Sequence, residues 1–280
     1  MYIRFGYDIT YTFPAHAPLV LQLHTHPSLS RSLRAPERLL VTPQLPIDEY
    51  LDAYGNRCTR LHAPPGDLRL RMDSIFEIDA VPDPLALDAA QHPVDDLPSE
   101  VLTYLIASRY CEVDRLGSFA WSHFSNTRPG WERVQAVNTW VHQHIKFDYL
   151  QARATRTAFE VIEERVGVCR DYTHLAIALC RSLNIPARYA TGYLGDIGVP
   201  PDAAPMDFSA WLEVYLGGRW HTFDARHDAR RIGRIVMAYG RDAADAALTT
   251  TFGSHVLKNF HVVTEECVTR QPFMHPPIAA

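Results

Sequence analysis

Gly167-Val168-Cys169-Arg170-Asp171-Tyr172 places a cysteine at the first turn of a predicted helix. Apolar or small residues follow at helical spacing, at Tyr172, Leu175, Ala176, Leu179, Cys180 and Leu183. This period predicts a helix with one core-facing stripe, and the helix ends at Asn184-Ile185-Pro186 because the residue before a proline avoids helical geometry. Unpaired N–H groups and the dipole at the helix start favour a thiolate at Cys169, the form that attacks a carbonyl carbon. The alternative is that Cys169 is a small core hydrophobe.

The sequence before this helix predicts further helices, and the sequence after it predicts an antiparallel sheet. Residues 131–145 carry apolar residues at helical spacing, and Thr157-Ala158-Phe159-Glu160 forms a capping box. Residues 187–194 are rich in strand formers, and Gly217-Gly218 predicts a two-residue hairpin loop between two further strands. This order predicts an α+β fold.

A β-rich region precedes the helices. Apolar residues alternate with polar ones over residues 3–13 and 68–78, a pattern typical of half-buried strands. Proline and aspartate residues between 83 and 98 indicate a connector. We therefore predict a β-sandwich-like domain at residues 1–82, a linker at 83–98 and a core domain at 99–280.

The composition excludes several classes of protein. The chain has 280 residues, of which 47% are hydrophobic and 21% charged, as in globular rather than disordered proteins. A net charge of −5 gives no basic surface for nucleic acid. No apolar run reaches the roughly 18 residues that span a bilayer, and residues 1–5 lack the pattern of a signal peptide. Five cysteines without close pairs predict free thiols in a reducing compartment, with the cytoplasm as the expected location.

The hairpin register relates two candidate site residues. If the loop is Gly217-Gly218, Leu216 lies opposite Arg219, and counting outward places Trp211 opposite Asp224. Ser209 and Asp224 are then diagonal neighbours on one face, roughly 7–8 Å apart. This geometry predicts that a group at position 209 is held by the carboxylate at position 224.

Three groups of motifs in the chain carry a resemblance to a known family. They are Thr157 through Glu160 to Cys169-Arg170-Asp171; Asn184-Ile185-Pro186-Ala187-Arg188 with Gly192-Tyr193; and Ala210-Trp211-Leu212-Glu213-Val214-Tyr215 with Gly218-Arg219-Trp220 and Phe223-Asp224. Together they resemble bacterial proteins of the transglutaminase-like superfamily, often described as cysteine proteases, in which a β-rich N-terminal region precedes a papain-like core. The resemblance covers essentially the whole chain and implies Cys169 as the nucleophile and Asp224 as the third member of a catalytic triad. The family's histidine stands directly before the Ala-Trp pair, and Ser209 occupies that position here.

Ser209 leaves the general base unassigned, because a serine hydroxyl is not a base near neutral pH. The remaining candidates are three histidines, namely His174, His221 and His227. For each of them the sequence favours a surface or structural role over a catalytic one. Arg226 and Arg170 could stabilise a thiolate, although a solvated salt bridge is the favoured interpretation of both.

Few other residues suggest a binding site. Trp211, Tyr215 and Trp220 could line a cleft for an extended peptide, with a core position as the alternative for the tryptophans. His24 and His26 are two of the ligands that a metal would need, but further ligands are not evident, so no metal is predicted. The sequence has no P-loop, dinucleotide fingerprint or calcium loop, and no cofactor is predicted.

Two hypotheses about function follow from these residues. The first is acyl transfer or amide hydrolysis through a thioester on Cys169, acting on a protein or peptide substrate, with backbone amides at the helix start as an oxyanion hole. The second is a catalytically inactive peptide-binding module on the same fold, and it is motivated by Ser209. The sequence makes no prediction about the oligomeric state or about hydrolysis as opposed to crosslinking.

Overall fold

The computed structural model describes residues 1–202 and 204–268. The described α-helices are α1 (Val113–Phe124), α2 (Trp131–His144), α3 (Ala158–Glu164) and α4 (Cys169–Ser182). Short 3₁₀ helices lie at Pro27–Ser32, Val94–Asp96, Ser99–Tyr104 and Tyr149–Gln151. The described strands are β1 (Tyr2–Phe13), β2 (Ala17–Leu21), β3 (Leu40–Thr42), β4 (Asp48–Leu51), β5 (Arg57–Ala63), β6 (Gly66–Glu77), β7 (Lys146–Phe147), β8 (Val166–Gly167), β9 (Ala187–Tyr193), β10 (Ser209–Leu216), β11 (Arg219–Phe223), β12 (Ile235–Gly240), β13 (Thr249–Thr251) and β14 (Val256–Cys267).

Two four-stranded sheets form the β-rich N-terminal region. One has the strand order β14-β1-β6-β3 and the other has the order β13-β2-β5-β4. The alternating side chains of β1 between Ile3 and Phe13 are buried and share one core with Leu19, Leu21 and Leu61 of the second sheet. The alternation over residues 3–13 and 68–78 therefore corresponds to the two long strands β1 and β6, which pair with each other.

The core consists of four helices and a sheet with the strand order β11-β10-β9-β12. Helix α4 packs against α1, α2 and α3 and against β9 and β10, and their buried side chains share one core. The prediction of a single buried stripe on α4 is wrong, because every residue from Asp171 to Ser182 is buried. The polar side chains among these bond to backbone groups and neighbouring side chains, and only Nδ1 of His174 lacks a partner within the described part of the chain. Arg181, for example, donates to the carbonyl oxygens of Ala187 and Arg241.

The α+β class is confirmed, because the helices pack with antiparallel sheets. The hairpin pairs Leu216 with Arg219 and Leu212 with Phe223, as the register predicted. The capping box is present, since Thr157 Oγ1 accepts from the N–H of Glu160 at 3.4 Å and the Glu160 carboxylate accepts from the N–H of Thr157 at 2.9 Å. Across the described ranges, no helix is both long and apolar enough to cross a membrane.

The domain boundaries at 82, 98 and 280 stay a prediction. Two observations bear on these boundaries. The first is that strands β13 and β14, near the C-terminal end, pair with β2 and β1 of the N-terminal sheets, respectively. The segment that was expected to be a linker is bonded to the core, because the carbonyl oxygens of Ala89 and Ala90 accept from the N–H groups of Trp131 and Gly217. Residues 269–280 of the predicted core domain lie outside the described residues.

Candidate active site

Cys169 is the first residue of α4, and the turn before it is tightly built. Asp171 Oδ2 accepts from the N–H of Val168 at 3.0 Å, which satisfies one of the unpaired donors at the helix start. A Cβ atom at Gly167 would lie 2.6 Å from Cβ of Asp171, so this position requires glycine. Asp171 is itself held by Arg156, at 3.0 Å, in a fully buried ion pair. These contacts fix the half-buried thiol at the positive end of the helix.

The surroundings of Cys169 act on its thiol in opposite directions. Burial raises the pKa of the thiol to about 11, Arg226 lowers it and Asp207 raises it. The backbone N–H groups of Ala210 and Arg170 lie close enough to lower it further. Donors at these positions would also serve a developing oxyanion next to the sulfur, because such a charge needs N–H groups that are already in place.

The thiol lines a cavity of about 630 Å³ between the core and the β-rich region. Its lining includes Ser209 and Asp207 beside the thiol, and Tyr11 and Phe260 from strands β1 and β14. The β-rich region therefore supplies one wall of the cavity at the candidate nucleophile, so any substrate that reaches Cys169 through it meets apolar and aromatic side chains.

Ser209 begins β10 and is buried opposite Gly192 of β9. It lines the cavity of Cys169 and also a smaller neighbouring cavity of about 50 Å³. Within residues 1–202 and 204–268, no hydrogen bond joins the side chains of Ser209 and Asp224. The expectation that this carboxylate holds the group at position 209 is therefore wrong, because other donors occupy both of its oxygens.

Four donors surround the buried carboxylate of Asp224. Oδ1 accepts from the backbone N–H groups of Arg226, at 3.0 Å, and His227, at 3.1 Å. Oδ2 accepts from Nδ1 of His227 and from Nη2 of Arg234, each at 2.9 Å. Burial alone would raise the pKa of this carboxyl, but Arg234 and His227 outweigh burial and hold the pKa well below its usual range. The group is ionised at neutral pH.

The loop that carries His227 is anchored to α2. Asp228 has a φ of 47°, a left-handed conformation that aspartate tolerates better than most residues. Its carboxylate accepts from Gln135 at 2.9 Å, Asn138 at 2.8 Å and Thr139 at 2.9 Å. These bonds hold the imidazole of His227, whose side chain is 25% exposed, beside Asp224.

The surface or structural role that the sequence favours for His227 stays a prediction. The strand pattern could not place this residue, because the regular pairing of β11 ends at Phe223. The usable signal was the spacing of Asp224 and His227, since a carboxylate and an imidazole three residues apart can meet across a tight turn after a strand.

Two arginines near the thiol have different surroundings. Arg226 lies over the ring of Phe147, 3.9 Å from its centroid, and faces the cavity that His227 lines. Arg170 donates to the carbonyl oxygens of Arg153 and Ala154 and to Asp171. Arg226 is therefore the better placed cation for a thiolate, because backbone and carboxylate acceptors already occupy the guanidinium of Arg170.

The three aromatic residues expected to bind substrate do not line the cavity at Cys169. Trp211 is fully buried, and the guanidinium of Arg234 lies 4.9 Å from its ring centroid. Tyr215 and Trp220 contact each other, with ring centroids 5.4 Å apart. Their role in substrate binding stays a prediction, and it has no support from the cavity.

Three other histidines that the sequence singles out, His24, His174 and His221, are buried. His174 is fully buried, accepts from the N–H of Ala243 at 3.1 Å and stacks on Tyr110. His221 is buried and lies 3.1 Å from the carbonyl oxygen of Leu216. Burial lowers the pKa of His24 to about 4. Among the described residues, no group of three or more histidine, cysteine, aspartate or glutamate side chains could hold a metal ion.

The site therefore consists of Cys169 at the start of α4, the first residues of β10 and the buried carboxylate of Asp224 directly after β11. The core model of the transglutaminase-like superfamily matches residues 120–225, which include Cys169, Ser209 and Asp224. A crystal structure from Cytophaga hutchinsonii, described as that of a putative cysteine protease, is 32% identical in sequence. The match covers 99% of this chain and 94% of the Cytophaga hutchinsonii chain, and the TM-score is 0.83. The chain belongs to the transglutaminase-like superfamily.

Two further relatives differ in the share of their length that matches. An uncharacterized protein of Mycobacterium leprae is 24% identical over 248 residues, which cover 85% of this chain and 87% of that protein. The human kyphoscoliosis peptidase is 31% identical over 114 residues, which cover 39% of this chain. The match covers only 17% of the human protein, so the similarity concerns one part of it.

Proposed function

We propose that the chain is a thiol enzyme that forms a thioester on Cys169 with the acyl group of a protein or peptide amide. One observation carries the proposal: the half-buried Sγ of Cys169 lies at the start of α4, beside the N–H groups of Ala210 and Arg170, in a cavity of about 630 Å³. A nucleophile, oxyanion donors and room for an acyl group are the parts that acyl transfer needs. The thioester then passes its acyl group to water or to an amine.

The cellular location is part of this proposal. Cys58, Cys111, Cys169 and Cys180 are free thiols. A thiol nucleophile needs a reduced sulfur, and a reducing compartment keeps such sulfurs reduced without a dedicated partner. We therefore keep the cytoplasm as the proposed location.

The alternative is a peptide-binding module without catalysis, and Ser209 is the observation that favours it. Ser209 cannot act as a base near neutral pH, and burial raises the pKa of the Cys169 thiol to about 11. In that case the cavity would hold a peptide without cleaving it, and Cys169 would not be acylated.

The experiment follows two reactions of casein. Release of fluorescent peptides from labelled casein reports hydrolysis, and incorporation of dansylcadaverine reports acyl transfer. We expect Cys169→Ala to abolish whichever reaction the wild type shows. The matched control is Cys267→Ala, which removes a half-exposed thiol that does not line the cavity. Activity that survives in Cys169→Ala contradicts the thiol mechanism, and casein that binds without reacting supports the binding module.

A further inference from the structure

The bonds of Asp224 determine which nitrogen of His227 is available. An ionised carboxylate only accepts hydrogen bonds, so Nδ1 of His227, at 2.9 Å from Asp224 Oδ2, must carry the proton. In the neutral imidazole the other nitrogen, Nε2, is then an acceptor. Nε2 makes no hydrogen bond within the described part of the chain. The carboxylate thus prepares His227 in the tautomer that a general base needs.

His227 and Cys169 line two cavities that share two lining residues. The smaller cavity is lined by His227, Arg226, Ser209 and Asp207, and the larger one by Cys169 together with the same Ser209 and Asp207. Ser209 and Asp207 thus border both the cavity of the imidazole and the cavity of the thiol. The hydroxyl of Ser209 can both donate and accept a hydrogen bond, so it can pass a proton on.

We propose that His227, oriented by Asp224, is the general base of the Cys169 site and takes protons across Ser209. The inference rests on the proposed function, and it assigns the role that the histidine directly before the Ala-Trp pair would have. The carboxylate at position 224 keeps its role of orienting an imidazole, but that imidazole comes from the loop that follows β11 instead of from β10.

The proton transfers balance in both half-reactions. In acylation the Sγ–C bond forms and the C–N bond of the amide breaks, while the thiol proton moves to the Ser209 hydroxyl and the hydroxyl proton moves to Nε2 of His227. His227 then protonates the leaving amine. In deacylation the oxygen of a water bonds to the carbonyl carbon and the C–Sγ bond breaks. The water proton moves to His227 and from there to the sulfur, which restores the free enzyme.

The test uses p-nitrophenyl acetate, because this probe requires no knowledge of the natural substrate. Its reaction acetylates Cys169 and releases p-nitrophenolate, and turnover then needs water to attack the thioester. We expect His227→Gln to slow steady-state turnover about 100-fold, which is the lower end of the effect of a general base. Mass spectrometry of the quenched protein should show acetylated Cys169 accumulating in this variant.

The matched control is His144→Gln, which removes an exposed histidine near the end of α2 that lies outside both cavities. We expect its turnover to stay within about twofold of the wild type. Two further measurements separate a base from a merely structural residue. Imidazole in solution should restore turnover to His227→Gly, and the double variant Ser209→His/His227→Gln should recover at least tenfold over His227→Gln.

Each outcome decides between the two proposals. Turnover that depends on Cys169 but is equal in His227→Gln and His144→Gln overturns the role of His227 and leaves the thiol mechanism intact. Loss of turnover in the His227 variants that neither imidazole nor Ser209→His restores also contradicts a role as base. A wild-type protein that turns over no faster than Cys169→Ala overturns both proposals.

Discussion

Replacing Asp224 with asparagine is expected to destabilise the protein strongly, although the two side chains have nearly the same shape. Asparagine can keep the two bonds from the backbone N–H groups of Arg226 and His227 through its oxygen. The NH₂ group of the asparagine then occupies the position of Oδ2, which accepts from Arg234 and His227 at 2.9 Å each in the wild type. An N–H donor would therefore point at the N–H donors of both residues. The histidine can change its tautomer, but Arg234 cannot lose its proton.

The expected cost follows from burial. The side chain of Asp224 is 2% exposed and that of Arg234 is 7% exposed. Removing one partner from a buried ion pair typically costs about 3–5 kcal/mol. Arg234 keeps its second partner, Asp83, at 2.9 Å, which favours the lower half of this range. With a urea dependence of about 3 kcal/mol per molar, the unfolding midpoint should fall by about 1 M.

The matched control is Asp228→Asn. Asp228 lies in the same loop as His227 and also accepts from three side chains, but these are the neutral groups of Gln135, Asn138 and Thr139 on α2. A loss of about 1 kcal/mol is expected there, because no charge is left unpaired. Equal unfolding midpoints for the two variants in urea would refute the argument that the ion pair with Arg234 dominates.

The same comparison has a defined pH dependence. The folded-state pKa of Asp224 is lowered, because Arg234 and His227 outweigh burial, so its stabilisation is complete above the unfolded-state pKa of about 3.9. It is lost as the pH falls from about 5 through the lower, folded-state value. The difference in free energy of unfolding between wild type and Asp224→Asn should therefore shrink on acidification from pH 7 to pH 3.

Three further predictions concern other parts of the molecule. Arg226→Gln should slow iodoacetamide alkylation of Cys169 at pH 8 by about threefold or more, because Arg226 lowers the pKa of the thiol, and Asp207→Asn should accelerate it, because Asp207 raises that pKa. Site-resolved mass spectrometry measures both alkylation rates, and rate changes in the same direction would contradict these opposite effects. Thr157→Ala should cost about 1 kcal/mol in urea unfolding through loss of the α3 cap, and an unchanged midpoint would mean that the cap is dispensable. Gly192→Ala should prevent β9 from pairing with β12 and leave little soluble protein, because its Cβ would lie 2.0 Å from the carbonyl oxygen of Ile235; a wild-type melting temperature would contradict that geometry.

Local patterns carried most of what the sequence predicted correctly. The alternation in β1, the capping box of α3 and the hairpin at Gly217-Gly218 each depend on residues that are neighbours in the chain. The return of β14 to pair with β1 was not predicted, since residues 2 and 267 meet only through the tertiary fold. A strand that joins a sheet of distant segments leaves no local signal of its partner.

The candidate site also combines features with a local sequence signal and features that depend on the tertiary fold. The position of Cys169 at the start of α4 follows from the apolar period of one helix, and it was predicted. The partner of Asp224 was not, because it depends on a turn after β11 and on the bonds between Asp228 and α2. His174 and Arg181 were not part of the apolar stripe predicted for α4, but carbonyl and ring contacts allow both to be fully buried.

The direction of the thiol pKa indicates what kind of partner Cys169 needs. Burial raises the pKa of this thiol well above neutral pH, to about 11. A permanent thiolate stabilised by Arg226 would therefore make up a very small fraction of the protein at neutral pH. Catalysis is more effective if the proton leaves while the sulfur attacks, and this requires a base that is neutral and oriented at that moment. The bond of Nδ1 to the ionised Asp224 orients Nε2 of His227 as the nitrogen that can accept a proton, whereas the guanidinium of an arginine has no acceptor.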